Sequence, residues 1–178
     1  TISAADQHSA LPHYRVTKES NLRFKKNSIY LVDSGAQYLD GTTDITRTII
    51  LGTPTKEQKD RFTRVLKGHI AIANSIFEVD SEGSSLDPLA RKSLKDKGCD
   101  YDHGTGHGIG SFLSVHEGPQ RIAKSQGLSD GLIKKGMILS NEPGFYKLGK
   151  YGIRTENLIV IKKISNNNFC FEVISWAP

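Results

Sequence analysis

Cysteine is almost missing: Cys99 and Cys170 are the only two in 178 residues. They stand in unlike contexts with no CxxC spacing, which argues against a disulfide framework and against a thiolate zinc site. A metal held by this chain must therefore be held by oxygen and nitrogen. Long apolar runs are missing too, none approaching the ~18 residues of a membrane span. The opening "TISAADQHSALPHYR" has neither the basic flank nor the apolar segment of a secretion signal. The expectation is a soluble, cytoplasmic protein with no membrane partner. Aromatic residues do not accompany the lysines, which are dispersed through a mixed surface despite a formal charge of +5. A solvated surface fits that pattern better than a nucleic-acid partner. The length suits one domain with enough interior to bury a polar site. The first residue is not methionine and no capping element opens the chain, so it reads as a piece of something longer.

What is present has the order strands, helices, strands. "SIYLVDS" (28–34) and "DITRTIILG" (44–52) are rich in β-branched and aliphatic residues, with the turn-rich "GAQYLDGTT" between them. They predict a hairpin with an acid at each inner end. Thr55, with Gln58 three positions on, predicts a capped helix running to about residue 77. Phe62, Val65, Leu66, His69, Ile70, Ala73, Ile76 and Phe77 would share its apolar face. A shorter, basic helix is expected from Asp87 as cap, with Pro88 in its first turn, to a stop at Gly98. "KKGMILSNEPGFY", "YGIRTENLIVIKK" and "FCFEVISW" read as strands. This order fits an α+β domain better than alternating βαβ units.

Two acids stand out in each half. Asp33 ends an apolar strand and Asp44 begins the next, eleven positions later, so an antiparallel hairpin would set them side by side. Taken singly, each is better read as a turn residue. Glu142 lies between "MILSN" and "PG", and Glu156 interrupts "GIRTENLIVI"; an acid facing the core there without a partner is costly. Were all four to converge, they would repel one another unless something positive lay between them. Two divalent cations cancel four carboxylates. Oxygen-rich ligation with a single imidazole suits manganese at least as well as zinc, and a metal pair can polarise a carbonyl while holding a hydroxide nucleophile.

The segment "HGTGHGIGSFLSVHEGP" (103–119) carries three histidines, His103, His107 and His116. On a helix, His103 and His107 would imitate the zinc-protease pattern HExxH. Gly104, Gly106, Gly108 and Gly110 oppose that helix, each at about 1 kcal/mol relative to alanine. An extended or bent strand that something approaches closely is expected instead. One histidine could ligate a metal there while another serves substrate or an oxyanion. His8 and His69 read as satisfied surface or core side chains, and His13 in "ALPHYR" shows no more on its own.

Together "LVDSGAQYLDGTTDITRT", "HGTGHGIGSFLSVHEGP", "NEPGFY" and "GIRTEN" resemble the metal-dependent peptidases of the pita-bread fold. The resemblance is greatest to long-form Xaa-Pro aminopeptidases. It implies a curved, mostly antiparallel sheet with helices on its outer face. It implies that Asp33, Asp44, His107, Glu142 and Glu156 hold two divalent ions, Mn²⁺ first and Zn²⁺ or Co²⁺ as alternatives. Asp44 and Glu156 would bridge both ions, Asp33 would bind one, and His107 with Glu142 the other. His103, His116 and His13 match substrate-side histidines, and Arg154 matches an active-site arginine. The implied reaction releases the first residue of a peptide whose second residue is proline, through a bridging hydroxide. Family catalytic domains are longer at both ends and follow two further domains. Residues 1–178 are thus expected to be a single catalytic-domain segment with an incomplete sheet, and a homodimer is implied by the same resemblance.

Competing expectations are a methionine aminopeptidase or prolyl dipeptidase with the same ligand scheme, and a non-catalytic peptide-binding module on the same fold.

Overall fold

The structure is a computed structural model and describes residues 1–111, 114–124 and 132–177. Phe112 and Leu113, inside the glycine-rich segment, lie outside the described residues. In chain order the elements are β1 (Ile2–Ala5), β2 (Ser28–Asp33), β3 (Ala36–Tyr38), β4 (Gly41–Thr43), β5 (Thr46–Leu51) and α1 (Lys56–Ala73). There follow β6 (Ile76–Glu78), α2 (Asp87–Lys95), β7 (Gly106–Ile109), β8 (His116–Ile122) and β9 (Ile138–Asn141). The chain closes with β10 (Gly144–Lys147), β11 (Tyr151–Arg154), β12 (Asn157–Lys163) and β13 (Asn168–Val173). The α+β order expected from sequence is the order observed.

Strand pairing is antiparallel throughout the described ladders. One sheet runs β1-β2-β5, a larger one β6-β13-β12-β9-β7-β8, and β3-β4 and β10-β11 are separate hairpins. The expected pairing of 28–34 with 44–52 is β2 with β5, in a register that sets Asp33 opposite Thr46. The two sheets meet where the Glu156 amide donates to the Thr46 carbonyl at 3.1 Å.

The period of two along a strand separates core from site. On β9, Leu139 joins Ile72, Leu86, Ala90, Ile159 and Ile161 in the larger apolar core. Its neighbour Ser140 instead donates to Glu142 at 3.0 Å and accepts from the His107 amide at 3.0 Å. Helices and core thus occupy one face of this sheet, and the polar side chains the other. A second core, with Val65, Leu94, Phe145 and Ile153, joins the helices to β2, β10 and β11.

Three expectations about the helices need correction. α1 is capped by Thr55 and Gln58 as expected, in a reciprocal capping box, but it ends at Ala73 rather than near 77. Asn74 leaves helical geometry, and Ser75 turns its hydroxyl back to the Ile72 carbonyl. Ile76 and Phe77 then pair as a strand with β13, Phe77 opposite Phe169, which buries Phe77 in the core with Phe169 and Phe171. The buried face of α1 is Val65, Gly68, His69 and Ile72, while Phe62 and Ile70 are exposed. Gly68 decides this face: a Cβ there would lie 2.1 Å from the Ala90 carbonyl of α2, so the helices close where the side chain is absent. Asp87 is not a cap. It lies in the first turn of α2, and its carboxylate is taken by Arg91 at 2.6 Å and Thr105 at 2.7 Å. The stop at Gly98 holds, with φ of +67° and the Cys99 amide donating to the Leu94 carbonyl. Among the described residues, no helix is long and apolar enough to cross a membrane.

Candidate metal centre

Within the glycine-rich segment, Gly106–Ile109 form the strand β7 rather than a helix. A Cβ on Gly106 would lie 2.1 Å from the Ser140 carbonyl oxygen, and one on Gly108 1.9 Å from that of Glu117. Backbone approaches from both flanks, so no side chain fits. This close packing holds His107 between β8 and β9. Its Nδ1 lies 2.8 Å from the Gly108 carbonyl; a carbonyl only accepts, so Nδ1 carries the proton. Its Nε2 faces two carboxylates, Asp44 at 3.4 Å and Glu142 at 3.1 Å.

The acids arrive from three directions. Asp33 ends β2, Asp44 precedes β5, Glu142 follows β9, and Glu156 sits between β11 and β12. The turn reading of Asp33 and Asp44 fails, since Asp44 is buried and both face the other acids. Two sets of donor atoms lie within 4.8 Å of one another, Asp33 with Asp44 and Glu156, and His107 with Glu142 and Glu156. Glu156 belongs to both. A third such set joins Asp44, His107 and His116.

Arg154 is 2% exposed and reaches the acids from below, its Nη2 donating to Asp33 at 2.7 Å while Nε lies 4.0 Å from Glu142. His103 holds its Nδ1 proton against the Gly104 carbonyl at 2.7 Å and accepts the Tyr146 hydroxyl at Nε2, 2.8 Å away. Tyr146 in turn accepts from Arg154 at 2.8 Å. His103 is thereby saturated with protein partners, and His107 alone of the first histidine pair presents a nitrogen to the acids. The His116 ring lies 4.1 Å from that of His107 and 6.3 Å from that of His13. All nine residues singled out in the sequence line one cavity of about 770 Å³.

Charge explains why this cluster needs a cation. Burial pushes the Glu156 carboxyl well above the usual range, and Glu142, Asp44 and Asp33 push it further. Burial also raises Asp33, in spite of Arg154. Burial works against a charged His107, yet hydrogen bonds to Asp44 and Glu142 override it and push its pKa up to about 10. The same interaction holds Glu142 below the usual range against its burial. Burial lowers both His103 and His116, with His107 adding to the effect on His116, so these two favour the neutral form. Four acids face one arginine and an imidazole. An oxygen-rich set with one imidazole nitrogen suits hard or borderline divalent ions, and the donor chemistry fits two of them.

Sequence reading missed Tyr146, Thr46 and Arg91. Tyr146 stood in the quoted "NEPGFY", but only folding sets its hydroxyl between His103 and Arg154. Arg91 lies on α2, twelve positions before His103, and donates to the Tyr101 and His103 carbonyls while covering the Tyr101 ring at 3.9 Å. The reading of His69 holds, since its buried Nδ1 bonds the Asn141 carbonyl at 3.0 Å. His8 stacks on Tyr14 at 4.5 Å, outside the acid cluster.

The loop beneath His103 carries a pH prediction. Burial opposes ionisation of Asp100, but Lys124 and Arg91 donate to it and hold its pKa at about 2. An aspartate that is near 3.9 when unfolded stabilises the fold fully above that value and loses the contribution as pH falls toward 2. Asp100→Asn should therefore flatten the decline of unfolding free energy between about pH 4 and 2. Superimposable acid limbs for the two proteins would contradict the assignment.

The chain belongs to metallopeptidase family M24, which it matches over residues 1–163. Its antiparallel α+β arrangement, without a closed barrel among the described residues, is the pita-bread fold of those enzymes. A probable Xaa-Pro aminopeptidase P of Laccaria bicolor is 48% identical over the whole chain, which spans 29% of that protein. A putative Xaa-Pro aminopeptidase of Saccharomyces cerevisiae is also 48% identical, and the chain spans 24% of it. Among solved structures, the X-prolyl aminopeptidase of Caenorhabditis elegans, described as a cytosolic enzyme with a di-nuclear active site, matches with a TM-score of 0.90 and 42% identity. That match covers 97% of this chain and 29% of the other. An Xaa-Pro dipeptidase from Bacillus anthracis matches with a TM-score of 0.82 and 33% identity, covering 99% of this chain and 46% of the other.

Proposed function

We propose that this chain is a catalytic-domain segment of an Xaa-Pro aminopeptidase, which releases the N-terminal residue from peptides with proline second. The observation that carries the reading is Glu156, shared by two carboxylate-rich donor sets on the wall of one cavity. Asp33, Asp44, His107, Glu142 and Glu156 would hold two divalent ions. Manganese is the first choice, because one imidazole among four carboxylates is a hard donor set. When bound, the ions supply Lewis acidity toward the peptide carbonyl and a water of lowered pKa.

The protein's own groups do the rest. Arg154 balances Asp33 and fixes Tyr146. Tyr146 holds the neutral His103 in one orientation, with its proton committed to the Gly104 carbonyl. His116 and His13 lie at the cavity wall without that restraint, which suits them to hold and move a proton beside the substrate. Proline in the second position removes the amide N–H and fixes φ, so recognition must come from shape rather than from an N–H donor. A cytoplasmic location and a homodimer complete the proposal, supported by the description of the nematode relative as cytosolic and by the family resemblance respectively.

Turnover tests the reading. With Mn²⁺ added, the protein should release the first residue of an Xaa-Pro-Xaa tripeptide, and a chelator should abolish the activity. Cleavage of an Xaa-Pro dipeptide instead would favour a prolidase, to which the Bacillus relative belongs by name. Cleavage of a Met-Ala-Xaa peptide would favour a methionine aminopeptidase. No turnover together with tight peptide binding would indicate a binding module.

A further inference from the structure

Thr46 is completely buried at the start of β5, opposite Asp33 in the strand register. Its hydroxyl lies 2.6 Å from Glu156 Oε2 and 3.2 Å from Arg154 Nε. Arg154 Nε–H can only donate, so it occupies a lone pair of the hydroxyl. The hydroxyl proton is then directed at the Glu156 carboxylate. The backbone repeats the link: the Glu156 amide donates to the Thr46 carbonyl at 3.1 Å. Arg47 closes it by donating to the Thr46 carbonyl at 2.9 Å and the Glu156 carbonyl at 2.7 Å.

We infer that Thr46 is a positioning residue that orients the Glu156 carboxylate so that it faces both ion positions at once. The inference rests on the dinuclear reading above and extends it to a residue outside the ligand set. Glu156 is the one member common to the Asp33–Asp44 set and the His107–Glu142 set. A rotation of its carboxylate therefore disturbs both positions together, whereas a change at Asp33 or Glu142 disturbs one. Thr46 resists that rotation in two ways. Its hydroxyl holds one carboxylate oxygen, and its β-branch restricts its own χ1 within the strand. It also ties the carboxylate to Arg154, and through Arg154 to Asp33 at 2.7 Å, so acids from two sheets share one framework. Groups that orient metal ligands in this way are worth 10–100-fold in metal affinity.

The test is Mn²⁺ titration of the metal-free full chain by calorimetry, with electron paramagnetic resonance of the loaded protein. Wild type should take up two ions with a spin-coupled signature. Thr46→Val, which keeps the shape and removes the donor, should lose about 10–100-fold in affinity for both ions together with the coupled signature. Thr46→Ser should restore affinity to within about threefold and recover the coupling. Circular dichroism reports whether the variants fold. Should the valine variant not fold, Thr46→Cys, a weak donor of similar size, should show the same joint loss in milder form. Wild-type affinities and coupling in a folded valine or cysteine variant would overturn the inference while leaving the dinuclear site intact. A wild-type chain that takes up no Mn²⁺ would overturn the dinuclear reading itself, and the inference with it.

Discussion

Glu156→Gln is expected to lower hydrolysis of an Xaa-Pro-Xaa tripeptide by at least about 10³-fold, about 4 kcal/mol in barrier height. The substitution keeps the volume of a side chain that is 1% exposed and removes the charge shared by the two donor sets. Stability should move the other way. Burial and three neighbouring acids make ionisation of Glu156 unfavourable, so the metal-free variant should melt no lower than the metal-free wild type. Loss of rate without loss of stability separates a functional charge from a structural one, because sites built for chemistry commonly reduce stability. Thermal melts in chelator and initial rates in Mn²⁺ would check both halves. Equal rates in the two proteins would refute the dinuclear mechanism.

Arg91→Met should destabilise the fold by about 3–5 kcal/mol. Arg91 and Asp87 are among the most buried charges, with side chains 1% and 3% exposed. Removing the guanidinium leaves Asp87 in the interior with, among the described residues, the Thr105 hydroxyl as its side-chain donor. It also releases the carbonyls of Tyr101 and His103 and the carboxylate of Asp100. A loss of that size is a large part of the 5–15 kcal/mol that holds an ordinary domain together. Urea denaturation would measure it, and adding Asp87→Asn should recover part of the loss by removing the stranded charge. A midpoint unchanged from wild type would show that the pair contributes nothing net. Because the released loop carries His103, the activity of any folded fraction should fall as well.

Much of the site was legible because its signals are local and chemical. Acids interrupting strand patterns at 142 and 156 are costly unless they serve something, whereas Asp33 and Asp44 read singly as turn residues and joined the set through the resemblance; the four glycines around His107 oppose a helix. The capping box at Thr55 and the stop at Gly98 were legible for the same reason, since each depends on residues within one turn. The errors arose where a distant element outweighed a local preference. Ile76 and Phe77 continue a helical pattern, but β13 offers them a strand partner. Asp87 has the chemistry of a cap, but Arg91 and Thr105 claim its carboxylate. Phe62 and Ile70 are apolar, yet Gly68 sets the face on which the helices close.

The sequence by itself determined the chemistry available: no thiolate site, an oxygen-rich donor set with imidazole, and an extended segment to carry the histidines. The resemblance of its motifs extended this to a ligand order. Only the tertiary structure decided the division of labour. His103 and His107 are alike in sequence, each followed by glycine. Tyr146, forty-three positions beyond His103, occupies Nε2 of His103, while Asp44 and Glu142 leave Nε2 of His107 facing acids. Hydrogen bonds of this kind act over about 3 Å, and the groups that make them are brought within that distance by strand register and close packing, which no local stretch of sequence contains.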